Sequence, residues 1–138
     1  MKKLLVDTNI VIDLLAKRDP FYDDAAKLFS LADKNKIKLS ISSLTFANTN
    51  YILQKSHLSS TTREILRKFK ILIIVLPLDD KIIDLALNDK GFDDFEDAIQ
   101  YYSALENNQD IIITRNLKDF KSSKIPVMTA NAFIRKPI

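Results

Sequence analysis

A chain of 138 residues with no cysteine and one histidine, His57, holds no disulfide framework and no thiolate metal site, and it argues against a histidine-based triad; any metal must be held by oxygen. Its net charge of +3 conceals an uneven distribution: eight acidic residues fall between Asp79 and Asp97 against Lys81 and Lys90, just after a basic stretch of Lys55, Arg63, Arg67, Lys68 and Lys70. The start carries too short an apolar stretch for a signal peptide and no run approaches the roughly 18 apolar residues of a membrane span, so the expectation is a cytoplasmic protein of one domain, residues 1–138, with no membrane partner.

Apolar runs rich in β-branched residues alternate with stretches of helical period, which predicts an α/β fold with a parallel sheet and helical crossovers. The first strand, Lys3 to Val6, delivers Asp7 at its carboxyl end, followed by Thr8 and Asn9. Ligands of open parallel sheets bind beyond the carboxyl ends of the strands, so a carboxylate there is aimed at whatever chemistry the fold performs. The competing reading is a cap on a helix starting near Ile10, because Asp, Thr and Asn all accept hydrogen bonds from free helix N–H groups.

That first helix, to about Lys17, sets Ile10, Leu14 and Lys17 on one stripe, and Asp19-Pro20 breaks it and starts a second through Ala25, Leu28, Phe29 and Ala32. A strand from Lys38 to Ser42 leads to a helix from Leu44 to Gln54 with Ser43 as cap. A basic helix from Thr62 to Phe69, a strand from Ile71 to Leu76, and a helix marked by Ile82, Ile83, Leu85 and Ala86 follow; Gly91, the only glycine, is expected to end that last helix. A chain so poor in glycine has no glycine-rich phosphate loop.

The long helix from Phe95 to Asn107 carries Ala98, Ile99, Tyr102 and Leu105 at helical spacing, and its start is loaded with Asp93, Asp94, Glu96 and Asp97. One or two such acids are explained by capping and the helix dipole, each favourable by about 0.3–1 kcal/mol. Four within five residues repel one another, and a bound cation neutralises such a cluster. A buried strand, Ile111 to Thr114, then runs into Arg115, Asn116, Leu117, Lys118, Asp119 and Phe120, and a weaker strand spans Pro126 to Met128. Arg115, Lys118, Lys121 and Lys124 form a basic rim fit for a polyanion, although Lys121 and Lys124 read rather as a solvated loop. Phe21, Tyr22, Tyr101 and Tyr102, at helical spacing, read as core rather than as stacking platforms, and His57 as a surface turn.

The ordered set of Asp7-Thr8-Asn9 after a strand, Ile41-Ser42-Ser43-Leu44-Thr45 leading into a helix, Phe95-Glu96-Asp97-Ala98-Ile99-Gln100, and Ile113-Thr114-Arg115-Asn116-Leu117-Lys118-Asp119-Phe120 resembles a PIN domain over essentially the whole chain. This is the metal-dependent nuclease fold used by VapC-type toxins. The resemblance implies a three-layer α/β/α fold with a central, mostly parallel sheet of four to five strands. It also implies hydrolysis of RNA leaving a 5′-phosphate, an antitoxin partner and a homodimer. Asp7 corresponds to the family's first metal-binding aspartate, Asp97 to the carboxylate opening the later helix, and Thr114 to Asp119 to its last polar loop. The family's second acid falls on Asn48, and its usual acidic position in the last loop on Asn116, with Asp119 the nearest remaining carboxylate; Glu96 is the candidate to supply missing charge.

Mg²⁺ or Mn²⁺ takes hard oxygen ligands, which suits a set of Asp and Glu without histidine. Asp7, Asp97 and Glu96 are the candidate metal ligands, and Asp119 completes the catalytic set. Asn9, Asn48, Thr114 and Asn116 are placed to orient waters, carboxylates or a phosphate, and Arg115 and Lys118 to bind RNA. The leading reading is a Mg²⁺-dependent endoribonuclease. A second is a nuclease-fold module that binds RNA or protein without cutting, since two charges are missing. A third, a phosphohydrolase with Asp7 as nucleophile and Ser42 or Ser43 on the phosphate, wants an acid two residues after the nucleophile, and Asn9 cannot protonate a leaving group.

Overall fold

The computed structural model describes residues 1–136. Five parallel strands, β1 (Lys3–Val6), β2 (Lys38–Ser42), β3 (Ile74–Leu76), β4 (Ile111–Ile113) and β5 (Val127–Met128), form one sheet in the order β3-β2-β1-β4-β5. The helices are α1 (Thr8–Leu15), α2 (Tyr22–Asp33), α3 (Ser43–Leu53), α4 (Ser59–Lys70), α5 (Asp80–Asn88), α6 (Phe95–Glu106) and α7 (Ala130–Ile134), with a 3-10 turn at Leu117–Phe120.

Central parallel strands are covered on both faces, and successive side chains divide between two cores. Leu4, Val6, Leu39, Ile41, Ile111 and Ile113 face one way, toward Val11, Leu28, Phe29, Phe69 and Phe133. Leu5 and Ile112 face the other, toward Ile82, Ala98, Ile99, Tyr101 and Phe120. The sheet is thus sandwiched by α1, α2, α4 and α7 on one side and α5 and α6 on the other, the three-layer α/β/α arrangement of the PIN-like expectation. Tyr101 lies in the second core, its ring 5.1 Å from that of Phe92.

The order of strands decides where chemistry can occur. The chain builds outward from β1 through β2 to β3, then returns to lay β4 on the opposite side of β1. The crevice at such a reversal, beyond the carboxyl ends of the two strands, is where open parallel sheets bind ligands. The register Leu4↔Ile111, Leu5↔Ile112, Val6↔Ile113 ends both strands level, so Asp7 and Thr114 emerge side by side.

Several local expectations are corrected. The third strand starts at Ile74, not Ile71, because Ile71 closes α4 and points into solvent. Ser42, not Ser43, caps α3, accepting the Thr45 N–H at 3.1 Å. Gly91 does not end α5: the helix stops at Asn88, with Asp89 in extended conformation after it. Gly91 instead sits close against two side chains: a Cβ there would meet Ser122 Oγ and Asp89 Oδ1 each at 3.0 Å, and the Ser122 hydroxyl donates to the Gly91 carbonyl. The 3-10 turn and α7 carry too few residues to show a helical period in sequence.

Candidate active site

Asp7 is 6 % exposed and binds through both carboxylate oxygens. Oδ1 accepts the Thr8 N–H at 2.7 Å, which makes Asp7 the N-cap of α1. Oδ2 accepts the Thr114 hydroxyl at 2.8 Å, and Thr114 Oγ1 in turn accepts the Asn116 N–H at 3.0 Å. Burial pushes the Asp7 carboxyl above the ordinary carboxylate range, against the lowering effect of the Thr114 and Thr8 hydrogen bonds.

Asp97 stands in the first turn of α6, behind Asp94, whose carboxylate caps the helix by accepting from Glu96 N–H at 2.7 Å and Asp97 N–H at 3.2 Å. Partial burial, and then the charges of Asp94, Asp7, Asp119 and Glu96, raise the Asp97 carboxyl to about 7. Thus the acidic run divides its labour. Asp94 caps, whereas Asp97 faces Asp7 across the crevice.

A cleft of about 390 Å³ gathers Asp7, Asn9, Asn48, Glu96, Asp97 and Asn116. Asn48 Nδ2 donates to Glu96 Oε1 at 3.3 Å, so the amide at a position where the family places an acid holds a neighbouring acid in place. Asp119 and Lys118 lie in an adjoining cleft of about 220 Å³ with Asp93 and Asp94, and Asp97 belongs to both. Arg115 is oriented away from a free phosphate role: its Nε and Nη2 donate to Asp13 at 2.9 and 3.2 Å, and Asp13 is fully buried. His57 is exposed, its Nδ1 3.1 Å from the Leu53 carbonyl, and Lys121 and Lys124 are exposed loop residues.

Two supporting groups escaped the sequence reading. Gln100, one helical turn after Asp97, is buried and donates to Thr45 Oγ1 at 2.6 Å and Thr8 Oγ1 at 3.3 Å. Thr8 and Thr45 hydroxyls are 2.9 Å apart, so one amide ties together the first turns of α1 and α3 from α6. Its spacing from Asp97 was the available signal, since residues three apart share a helix face. Asp13, an acid inside the apolar run of α1, signalled the buried partner of Arg115.

Among the described residues, no three carboxylate or imidazole groups converge tightly enough to form a metal cage. Mg²⁺ needs no such cage, because it keeps several waters and is held by one or two carboxylates together with substrate phosphate oxygens. The all-oxygen donors Asp7 and Asp97, each resisting ionisation where it sits, fit a hydrated divalent cation.

Comparison with known proteins agrees with this fold. A family model described as PIN domain matches residues 3–118. Ribonuclease VapC1 of Aquifex aeolicus (strain VF5) is 29 % identical over 139 residues, covering 98 % of this chain and 95 % of that protein. Among solved structures, a toxin–antitoxin complex from Klebsiella pneumoniae superposes with a TM-score of 0.68 at 27 % identity, covering 92 % of this chain and 97 % of the other. DNA-bound VapBC from Salmonella typhimurium shares the fold with a TM-score of 0.71 at 22 % identity, over 94 % of this chain and 99 % of the other. VapC ribonucleases of this fold are generally dependent on divalent metal. With its strand order, its strand-end aspartate and a family match over most of its length, the chain belongs to the PIN domain family.

Proposed function

We propose that this protein is a Mg²⁺- or Mn²⁺-dependent endoribonuclease that hydrolyses RNA phosphodiester bonds as the toxin of a toxin–antitoxin pair. The observation that carries the reading is the convergence of Asp7 and Asp97, 90 residues apart in sequence, on one crevice beyond the carboxyl ends of β1 and β4. Its support from relatives is the named ribonuclease at 29 % identity and the toxin–antitoxin complex at 27 %. The proposal includes RNA as substrate in the cytoplasm, an antitoxin that covers the acidic cleft, a homodimer, and residues 1–138 acting as one domain.

A cation held by Asp7 and Asp97, with Glu96 beside them, would polarise the scissile phosphate and lower the pKa of an attacking water. The protein's own groups set the stage for that step. Thr114 fixes the Asp7 carboxylate, and Asn48 fixes Glu96. The amides of Asn9 and Asn116 orient water or a phosphate oxygen in the cleft, and Asp119 sits on the far side of Asp97 with Lys118 at the rim. Gln100 keeps α1, α3 and α6 in register, so that residues carried on three helices face one another.

Asp7→Asn and Asp97→Asn each abolish metal-dependent cleavage of RNA by the purified protein. Retained cleavage by either folded variant removes the assignment. A second reading, a module that binds RNA or protein without cutting, is favoured by the amides at positions 48 and 116. Calorimetric titration with Mn²⁺ separates the two: saturable binding that Asp97→Asn removes supports the nuclease, and no heat at millimolar metal supports the silent module.

A further inference from the structure

Beside the catalytic crevice lies a second cavity of about 370 Å³, and Asn116 lines both. One part of its wall is a partly exposed cation–π pair: the Arg115 guanidinium carbon sits 3.9 Å from the centre of the Phe21 ring, and Phe21 is 39 % exposed. The pair is rigid, because the guanidinium is anchored in plane by the two bonds to buried Asp13. The Asp24 carboxylate, three residues after Phe21 in the first turn of α2, lines the same cavity and accepts from Asn131 Nδ2 at 3.3 Å.

Asp24 and Asn131 also belong to a third concavity, a groove of about 670 Å³ between α2 and α7. Exposed Lys27, Lys34 and Arg135 line it, Lys27 and Lys34 on the same face of α2 as Asp24 or directly beyond it. The three concavities therefore form one track. It runs from the acidic crevice, past the Phe21–Arg115 pair and Asp24, to a groove lined by Lys27, Lys34 and Arg135.

We infer that this track seats the single-stranded RNA beside the scissile phosphate, with one nucleobase stacked on the Phe21–Arg115 pair and the following phosphates met by Lys27, Lys34 and Arg135. The inference rests on the ribonuclease reading and adds to it a base-binding subsite. Chemistry chooses the occupant of the cavity. A phosphate is disfavoured beside the carboxylates of Asp24 and Asp13, while a flat base gains stacking on a ring and a guanidinium. A carboxylate facing the base edge selects adjacent N–H donors. Guanine, with N1–H and N2–H side by side, suits Asp24 best; uracil, whose single N3–H is flanked by carbonyls, suits it least. Arg115 on this account meets a base rather than a phosphate, as its commitment to Asp13 requires.

The test uses a short fluorescein-labelled oligoribonucleotide and versions of it lacking the base at one position at a time. Binding to the full-length Asp7→Asn protein is read by anisotropy, which needs no cleavage. Removal of the base at one position weakens binding about 10-fold, and Phe21→Leu weakens it by a similar factor and abolishes the effect of that abasic site. Phe21→Tyr, which keeps the ring, restores both. In the same protein, Asp24→Asn narrows the preference for guanine over uracil at that position, and Lys27→Gln with Lys34→Gln reduces the salt dependence of binding. A flat abasic scan, or undiminished binding by folded Phe21→Leu, overturns the subsite. Failure of the wild-type protein to cleave any RNA with metal overturns the nuclease reading alone, since the anisotropy result stands independently of it.

Discussion

Asp7 uses its two oxygens for different ends: Oδ1 caps α1 through the Thr8 N–H, while Oδ2 is held by the Thr114 hydroxyl. A carboxylate offers about four acceptor sites, so both bonds leave lone pairs for a cation. Capping and metal binding are compatible at this residue. Asp97 differs in having partial burial and like charges around it rather than donors, and its carboxyl is raised from 3.8 to about 7. The folded metal-free protein therefore binds this proton more tightly than the unfolded chain. That makes the group least costly to stability below about pH 4 and progressively destabilising as pH rises through about 7. Thermal melts in chelator should show wild-type Tm falling between pH 5 and 8 more steeply than that of Asp97→Asn, which has no charge to confine, whereas Mn²⁺ raises Tm at pH 8 in the wild type alone. Equal slopes in the two proteins contradict this account of the site's electrostatics.

At the scale of elements, α1, α3 and α6 all start at the crevice, capped by Asp7, Ser42 and Asp94. Their free N–H groups and dipoles favour negative charge there, and that helps a phosphate as much as it helps the acids. Caps elsewhere do only structural work. Asp79 caps α5 by accepting the Ile82 N–H at 3.0 Å, and α5 packs against α6 on the face of the sheet covered by the second core. Asp79→Ala is expected to lower stability by about 1 kcal/mol in urea unfolding while leaving RNA cleavage per folded molecule unchanged. A loss of cleavage would mean that the acidic run before α6 reaches further into the chemistry than the crevice suggests.

For the whole molecule, the decisive feature is the reversal of strand order between β1 and β4, which makes neighbours of residues about a hundred positions apart. The Asp13–Arg115 pair crosses the same seam, tying α1 to the loop after β4. Removing the cation strands a buried carboxylate, so Arg115→Gln should destabilise by about 3 kcal/mol or more. Asp13→Asn added to it should recover much of that loss, since an amide tolerates burial better than an unpaired charge. Chemical unfolding of the two single variants and the double variant gives the coupling directly. Strict additivity would show that the pair does not act as a unit.

The α/β class, four of the five strands to within a residue and the acidic start of α6 were legible in the sequence, because they depend on local patterns: β-branched runs, helical period, and polar residues where a strand ends. Asp7 and Asp97 were candidates for the same reason, as strand-end and helix-start carboxylates. The 3-10 turn and α7 were too short for a period to register, and the end of α5 was misplaced because Gly91 serves a contact with Ser122 rather than a helix cap. Local pattern is also blind to partnership. That Thr114 grips Asp7, that Asn48 grips Glu96, that Gln100 spans three helices and that Arg115 turns to Asp13 and Phe21 all depend on contacts across long sequence separations. Sequence by itself determined which side chains were available for chemistry. Only the parallel sheet's order and register, set by burial of its two apolar faces, decided which of them meet.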